Sequence, residues 1–291
     1  MLTFIVNPAA GNSYALKIQS LLEEVTRTRG VECRFVRTEY PGHATELARI
    51  AANEPTCTGV VAVGGDGTAF EVACGLMNSS VPMGIIPAGT GNDFIKTVGL
   101  PKKALDALEL ILRGKARPVD VGGLNDRLFL NVCGTGFDVT VLDYTLAAKK
   151  YCRGLLPYLI GLIRGIAHYK PVHVRFTADG KTEERDLLIC SVANGRYFGG
   201  GIAICPDASA DDGMLDMIAV EHKPRWQLPF LVLPLLMGRI LKFSFTTHKR
   251  CQEIEIASPG MRLNVDGEII NVDTAKFTVM PGALSMFWCA P

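Results

Sequence analysis

The chain of 291 residues has neither a strong excess of charge nor a long hydrophobic segment. Thirty basic and 29 acidic residues give a net charge of +1, so no overall field attracts nucleic acid, and no nucleic-acid partner is expected. The longest apolar stretch, Leu228–Met237, is about half as long as a membrane-spanning helix, and two prolines interrupt it. These absences predict a soluble or membrane-peripheral protein rather than an integral one.

The nine cysteines are scattered and never spaced as Cys-x-x-Cys. Several lie in apolar runs, as Cys74, Cys133 and Cys190 do, which is typical of reduced, buried thiols in a cytosolic protein. Neither a disulfide framework nor a zinc motif is therefore expected. The N-terminal residues Met1–Val6 lack a basic region and predict a first strand rather than a signal peptide. We expect a cytoplasmic location.

Several common enzyme motifs are also missing. The sequence contains no Gly-x-Gly-x-x-Gly, no Walker-type phosphate loop, no His-Glu-x-x-His and no Gly-x-Ser-x-Gly. Its five histidines form no cluster along the chain. A hydrophobic content of 48% with 20% charged residues is that of a globular protein, and the length suffices for two domains.

The first third of the chain alternates short apolar runs with helical patterns. This alternation predicts a parallel sheet covered on both faces, in which ligands bind beyond the carboxyl ends of the strands. The predicted strands are Thr3–Val6, Glu32–Arg37, Gly59–Val63 and Met83–Ile86, and the predicted helices are Tyr14–Thr28, His43–Ala52, Thr68–Met77, Asp93–Val98 and Ala104–Arg113.

Past Val119 the pattern becomes mainly that of β-strands. Asp266–Gly267 lies between two apolar runs and is a strong hairpin signal. Two helical inserts are predicted, near Lys149–His168 and over Trp226–Leu241. The predicted strands are Arg127–Val132, Val172–Phe176, Leu187–Ala193, Leu215–Val220, Gln252–Ile256, Met261–Val265, Glu268–Val272 and Lys276–Met280.

A loop of three glycines around one aspartate follows the third predicted strand. Its sequence, Gly64-Gly65-Asp66-Gly67-Thr68, lets the backbone approach phosphate oxygens at a helix start, where the helix dipole favours an anion. A tight turn with Asp66 as the helix N-cap would explain the same residues. The full five-residue pattern after a buried strand favours nucleotide binding.

A second loop, Pro87–Phe94, follows the next strand and again places glycines, a hydroxyl and an acid at a helix start. By itself it would be read as a turn with an N-cap. Because Asp66 and Asp93 both follow strands of one parallel sheet, the two loops together favour a shared site for phosphate and metal.

Two late segments also contain acids beside glycines. The hairpin turn explains Asp266–Gly267 but not Glu268, since glutamate is not a favoured strand residue, and a carboxylate there could act as a general base. Gly199–Asp207 and Asp211–Leu215 could hold a cation that prefers oxygen ligands. Their spacing alone favours a glycine-rich loop and an ordinary turn.

The ordered set of these motifs resembles the diacylglycerol kinase catalytic-domain family, and most closely its soluble bacterial branch, which includes a YegS-like lipid kinase group. Asn7–Gly11 is similar to that family's first strand and turn. The resemblance covers nearly the whole chain. It implies a Rossmann-like α/β nucleotide-binding domain, residues 1–120 with a C-terminal return at 282–291, and a β-sandwich-like lipid-substrate domain, residues 121–281, with ATP between them.

The resemblance also implies roles for individual residues. Glu268 would be the catalytic base and Asp66 would position Mg²⁺. One departure concerns Phe70, which occupies a place where the family usually carries Asn. The implied ATP contacts are Asn7, Thr38, Gly64, Gly65, Asp66, Gly67, Thr68, Ala69, Phe70 and Thr90; the magnesium-linked acids are Asp66, Asp93 and Asp120; and a second, structural metal would be held by Asp212 with the main-chain carbonyls of Ser209 and Met214.

The expected activity is transfer of the γ-phosphate of ATP to a lipid hydroxyl, with diacylglycerol as the first candidate substrate. An NAD kinase-like phosphotransferase and an inactive nucleotide- or lipid-binding module are the alternatives. Basic residues flank the apolar run within 224–242, which suits contact with the inner membrane surface, although packing into the core of the second domain explains it equally well. A homodimer is left open.

Overall fold

The structure, a computed structural model, describes residues 1–152, 156–178 and 180–288. Within them the chain forms strands and helices in the order β1 Leu2–Val6, α1 Tyr14–Thr28, β2 Cys33–Arg37, α2 His43–Ala52, β3 Gly59–Gly64, α3 Asp66–Leu76, β4 Met83–Pro87, α4 Asp93–Thr97, α5 Ala104–Leu112, β5 Ala116–Leu124, β6 Arg127–Phe129, β7 Val132–Gly136, α6 Phe137–Lys149, α7 Leu156–His168, β8 Val172–Ala178, β9 Lys181–Ala193, β10 Tyr197–Phe198, β11 Ile202–Ala203, β12 Leu215–Glu221, α8 Leu228–Leu236, β13 Thr246–Cys251, β14 Glu253–Val265 and β15 Glu268–Phe287. Single 3-10 turns at Arg225–Gln227 and Ile240–Lys242 flank α8.

The chain divides into two compact units. The first contains Met1–Val121, Ser209–Gly213 and the chain from Met280 onward, and the second contains Gly122–Ala208 and Met214–Val279. The predicted domain ranges differ from these units chiefly at Ser209–Gly213, which clusters with the first unit. Of the predicted C-terminal return, residues 289–291 lie outside the described part of the chain.

The first unit is the α/β domain that the sequence predicts. Its strands are parallel in the order β2-β1-β3-β4, and the end of β15 adds to β4 at Met286 and Met83. All residues of β1, β3 and β4 are buried, as expected for a parallel sheet covered on both faces. From β1 the chain runs outward to β2, whereas β3 and β4 lie on the other side of β1. This reversal in strand order marks the place where α/β sheets bind ligands.

The second unit is the β-sandwich-like domain, built from antiparallel strands. Both β9 and β14 pair with β7 near one end and with β8 near the other. They enclose an apolar core that includes Phe129, Phe176 and Phe277. A second apolar cluster, with Tyr169 and Leu228, lies beneath residues of α7 and α8. The hairpin between β14 and β15 is confirmed, with positive φ at Asp266 (47°) and Gly267 (100°).

Several predicted elements were wrong in extent. The predicted strand Arg127–Val132 is split into β6 and β7, because the amides of Leu130 and Asn131 bind the Asp266 carboxylate. The predicted strands on either side of Ser258–Gly260 are one strand, β14, with a register shift there, where Pro259 cannot donate to the ladder. Strands β5, β10, β11 and β13 and helix α6 were not predicted. Within the residues that the structure describes, no helix is long and apolar enough to span a membrane.

Candidate functional site

The predicted nucleotide-binding residues follow the carboxyl ends of β1 to β4. Asn7 follows β1 and donates from Nδ2 to Oγ1 of Thr68, in the first turn of α3, over 3.1 Å. Thr38 follows β2, and its amide donates to the carbonyl of Val6 over 2.9 Å. Thr90 lies exposed in the loop after β4. The structure therefore places these residues at the carboxyl ends of the parallel strands, where the strand order reverses between β1 and β3.

Glycines allow the three loops after β1, β3 and β4 to pack backbone against backbone. A Cβ atom on Gly89 would lie 2.4 Å from the Cα of Gly65, so the loop after β4 does not tolerate a side chain at this contact. Gly11 has φ +59°, and a Cβ there would lie 2.2 Å from the carbonyl oxygen of Ala88. Close loops rich in small residues leave backbone groups accessible to phosphate oxygens.

Asp66 joins the two Gly/Asp loops directly. Its Oδ1 accepts hydrogen bonds from the amides of Asp93, at 2.6 Å, and Phe94, at 3.1 Å, at the start of α4. Asp66 is the first residue of α3, and the N-cap of that helix is Gly65. The side chain of Asp66 caps α4 instead of its own helix. Burial raises the pKa of Asp66, the Phe94 amide opposes that rise, and the negative charge of Asp93 adds to it.

The acidic pair of Asp66 and Asp93 has a donor set that suits Mg²⁺. Asp93 is 6% exposed and its carboxylate forms an ion pair with Nζ of Lys96 over 2.8 Å. Magnesium is usually held by one or two carboxylates together with substrate phosphates and water. A cation bound beside these acids would offset the charge repulsion that helps raise the pKa of Asp66.

The other residues of the first glycine loop differ in how far they are exposed to solvent. Gly67 is exposed and Phe70 is half-buried, whereas Thr68 and Ala69 are buried. The amide of Ala69 donates to the carbonyl of Gly65 within the helix start. A Cβ on Gly64 would lie 2.4 Å from Oγ1 of Thr68, so this threonine requires a glycine at the end of β3.

Glu71, one turn into α3, has a structural task that the sequence did not reveal. Its carboxylate accepts hydrogen bonds from the amides of Gly42 and Ala44 over 3.0 and 3.1 Å, at the first turn of α2. Thr45 Oγ1 donates to the carbonyl of Glu71 over 2.8 Å. Glu71 therefore ties α3 to α2, and no local sequence signal connects an acid on one helix with the amides of another.

Asp120, predicted in the magnesium-linked network, connects three segments of the first unit. Its two carboxylate oxygens accept hydrogen bonds from the amides of Gly213 and Gly282, over 2.7 and 2.8 Å, and its own amide donates to the carbonyl of Ala210. These contacts explain why Ser209–Gly213 belongs to the first unit. A buried aspartate, 3% exposed, that holds separated chain segments has a clear structural role.

The predicted second metal site lies along a short turn. Ser209 donates from its hydroxyl to the carboxylate of Asp211, Asp212 is exposed, and Gly213 has φ 70°. Met214 is the next residue and begins the second segment of the second unit. A metal held by Asp212 and the carbonyls of Ser209 and Met214 stays a prediction.

Glu268 is the first residue of β15 and is exposed to solvent. Asp266, two residues earlier, holds in place the turn that precedes Glu268. The Asp266 carboxylate accepts hydrogen bonds from the amides of Leu130, Asn131 and Val132, over 2.6 to 3.0 Å for the shortest bond to each. Asn264 accepts from the amide of Gly267 over 2.9 Å. The Asp-Gly pair predicts the turn, but the partners of Asp266 are more than 130 residues away in sequence.

Asp138, at the first turn of α6, is a buried acid connected to this hairpin. Asn264 donates from Nδ2 to Oδ2 of Asp138 over 3.4 Å, and Asp138 is 6% exposed. Burial raises the pKa of Asp138 to about 6, although Asn264 and the amide of Val139 oppose the rise. Within the described part of the chain, Oδ1 of Asp138 has no hydrogen-bond partner.

Comparisons with known proteins match both units. Residues 1–124 match the model of the diacylglycerol kinase catalytic domain, and residues 131–288 match the YegS C-terminal NAD kinase beta sandwich-like domain. A probable lipid kinase, YegS-like, from Pseudomonas fluorescens is 34% identical over 90% of this chain and 87% of its own. A diacylglycerol kinase from Mycobacterium tuberculosis is 29% identical over 98% and 94%. The crystal structure of a putative diacylglycerol kinase from Bacillus anthracis has a TM-score of 0.83 at 26% identity, covering 99% of this chain and 95% of that one.

An α/β unit with paired acids beside glycine loops, joined in one chain to a β-sandwich-like unit, is the arrangement of a two-domain kinase. The chain belongs to the diacylglycerol kinase catalytic-domain family, whose relatives named above are diacylglycerol and lipid kinases.

Proposed function

We propose that this protein transfers the γ-phosphate of ATP to the hydroxyl of a lipid, with diacylglycerol as acceptor and phosphatidic acid as product. The observation that carries the proposal is the hydrogen-bonded junction of Asp66 with the start of α4, where two acids and two glycine loops meet. The names of the relatives support a lipid acceptor.

The first unit would bind ATP along the edge formed by Asn7, Thr38, the Gly64–Phe70 loop and Thr90. Backbone amides at the glycine loops and at the start of α3 would hold the phosphates. Asp66 and Asp93 would hold Mg²⁺, which supplies neutralising charge for the phosphates when bound. Asp120 keeps the segment after residue 208 attached to this unit and would support the acidic network from there.

Glu268 would accept the proton of the lipid hydroxyl. The hydroxyl oxygen forms a bond to the γ-phosphorus as the bond from that phosphorus to the bridging oxygen of ADP breaks, and the proton passes to the Glu268 carboxylate. The hairpin suits this task, because Asp266 and Asn264 fix its turn by hydrogen bonds to backbone amides.

We also propose that α8 and its flanks contact an anionic membrane surface. Leu228 is buried, but Trp226, Phe230, Leu233 and Met237 follow helical spacing and are 50 to 73% exposed. Exposed Arg239 lies just beyond them. One face of the segment packs in the core, and the other leaves an apolar stripe beside a basic residue. This second face supports the proposal of an interfacial element.

An acceptor screen tests the activity. The purified protein is incubated with γ-labelled ATP, Mg²⁺ and, in separate mixed-micelle reactions, diacylglycerol, monoacylglycerol, a sphingoid base, a polyprenol or NAD. We expect label in phosphatidic acid. Label in another lipid would correct the substrate, label in NADP would support the NAD kinase-like alternative, and nucleotide binding without any transfer would support an inactive module.

Vesicle sedimentation tests the membrane contact separately. We expect the protein to bind vesicles containing phosphatidylglycerol more tightly than neutral phosphatidylcholine vesicles, and Phe230→Gln to weaken that binding. Ile50→Gln, at an exposed apolar residue of the first unit, is the matched control. Equal binding to both vesicle types, or binding to neither, would contradict the proposal.

A further inference from the structure

Three side chains that can bind metal meet in the second unit, at a place that the kinase proposal does not use. Cys205 follows β11, Asp216 lies on β12 and His248 lies on β13. The sulfur, a carboxylate oxygen and an imidazole nitrogen all lie within 4.8 Å of one another. Cys205 is fully buried and Asp216 is 1% exposed, so these two groups are shielded from water.

The geometry brings both partners to the same nitrogen of the histidine. Nε2 of His248 lies 3.9 Å from Sγ of Cys205 and 2.5 Å from Oδ1 of Asp216. In a Cys–His–Asp arrangement that activates a nucleophile, the carboxylate binds the other ring nitrogen. Sulfur, oxygen and nitrogen donors that lie within 4.8 Å of one another can instead surround one shared cation.

The surroundings favour the protonated thiol of Cys205, which must give up its proton to bind a metal. Burial raises the pKa of Cys205, the negative charge of Asp216 adds to that rise, and hydrogen bonds from the amides of Ala208 and Asp207 oppose it. Nε of Arg250 lies 3.6 Å from Oδ1 of Asp216. This contact is an ion pair that is too long for a hydrogen bond, and it helps to orient the Asp216 carboxylate.

We propose that Cys205, Asp216 and His248 bind one zinc ion, with water as the fourth ligand. A thiolate with an imidazole selects a borderline-soft transition metal, whereas Mg²⁺ and Ca²⁺ prefer oxygen ligands alone. The His248 side chain is 26% exposed, which opens this side of the cluster to solvent, and water would supply the fourth ligand. Metal binding releases the thiol proton, and the imidazolium proton where present, to solvent.

Metal binding requires the donor atoms to move relative to one another by up to about 1 Å. Zinc bond lengths of about 2.0 to 2.3 Å place tetrahedral ligands about 3.3 to 3.7 Å apart. The sulfur–nitrogen distance of 3.9 Å needs only slight closure. The nitrogen–oxygen distance of 2.5 Å, a hydrogen bond without metal, opens by about 1 Å as the metal replaces the proton between these atoms. An imidazolium loses this proton to solvent, whereas a neutral ring exchanges it through solvent for a proton on Nδ1. The ion would then tie the loop after β11 to β12 and β13.

Metal titration of the full-length protein tests the proposal without using its activity. The protein is first reduced, treated with a chelator and then separated from the chelator. It is titrated with Co²⁺ as a spectroscopic probe, and Zn²⁺ is then added in competition. We expect one equivalent of Co²⁺ to give a thiolate-to-cobalt charge-transfer band that Zn²⁺ abolishes. Zn²⁺ should also raise the unfolding temperature, because it binds the folded state.

Two variants and two control variants test which side chains bind the metal. Cys205→Ser should lose the charge-transfer band, and His248→Gln, at a partly exposed position, should weaken Co²⁺ binding at least tenfold. Cys57→Ser and His173→Gln, at positions outside the cluster, should behave as wild type. Absence of the band in the wild-type protein, or its persistence in Cys205→Ser, would overturn the proposal and leave a His248–Asp216 ion pair. Circular dichroism confirms that each variant is folded.

Discussion

Replacing Asp138 by asparagine should stabilise the second unit at neutral pH. The pKa of Asp138 is raised from 3.8 to about 6, chiefly because burial disfavours its charged form. Asparagine keeps an oxygen that can accept the hydrogen bond of Asn264, and it carries no charge. The perturbation therefore removes the cost of a buried carboxylate while keeping its shape.

The magnitude follows from linkage. Each pKa unit corresponds to about 1.4 kcal/mol, so a rise of about two units costs the folded state about 3 kcal/mol once the carboxyl is ionised. Because the folded-state pKa is above the unfolded one, stability is greatest below about pH 4 and falls as the pH rises through about 6. The asparagine variant lacks this loss.

Urea unfolding followed by circular dichroism between about pH 4 and pH 8 measures the effect. We expect Asp138→Asn to exceed wild type by up to about 3 kcal/mol at the upper end and to approach it at the lower end. Asp126→Asn, at an exposed turn, is the control and should leave the pH dependence unchanged. The reasoning is refuted if Asp138→Asn has the wild-type pH dependence or is destabilised across the whole range.

Three further substitutions test contacts of the candidate site. Gly89→Ala should destabilise the first unit by about 1–3 kcal/mol and weaken ATP binding, because the new Cβ atom would clash with Gly65. Calorimetry measures the loss of stability, and an ATP titration measures the loss of affinity. Glu71→Ala should cost about 1 kcal/mol by removing the acceptor for two amides of α2, and unchanged urea unfolding would contradict that role. Asp266→Ala should lower kcat without changing ATP affinity, because three amides lose their acceptor and the hairpin loosens; Asp266→Asn should restore part of kcat.

The sequence predicted the elements of the first unit closely because their patterns are local. The helices Tyr14–Thr28 and His43–Ala52 begin and end where the spacing of apolar residues placed them. The loop after β3 could also be identified, since its glycines and its acid are adjacent in sequence. What the sequence could not give was the target of the Asp66 side chain, which caps α4 from 27 residues away.

The second unit was harder to predict because long-range contacts decide its elements. Nothing in Arg127–Val132 indicates that a strand is interrupted there. The interruption arises because the amides of Leu130 and Asn131 donate hydrogen bonds to the distant Asp266 carboxylate. Strand β13 carries mostly polar residues, and its pairing with β12 decides its conformation. The three proposed zinc ligands are likewise separated by 11 and 32 residues in the sequence and meet only through this pairing and the loop after β11.

The rate of phosphoryl transfer by Glu268→Gln tests the central claim most directly. The variant is compared with wild type and with Glu255→Gln, an exposed glutamate on β14, at saturating ATP and diacylglycerol. We expect Glu268→Gln to stay folded and bind ATP as wild type, but to lose about a hundredfold or more in kcat, as expected for a general base. The Glu255→Gln control should keep full activity. A folded Glu268→Gln variant that binds ATP and retains activity within a few-fold of wild type would contradict the account.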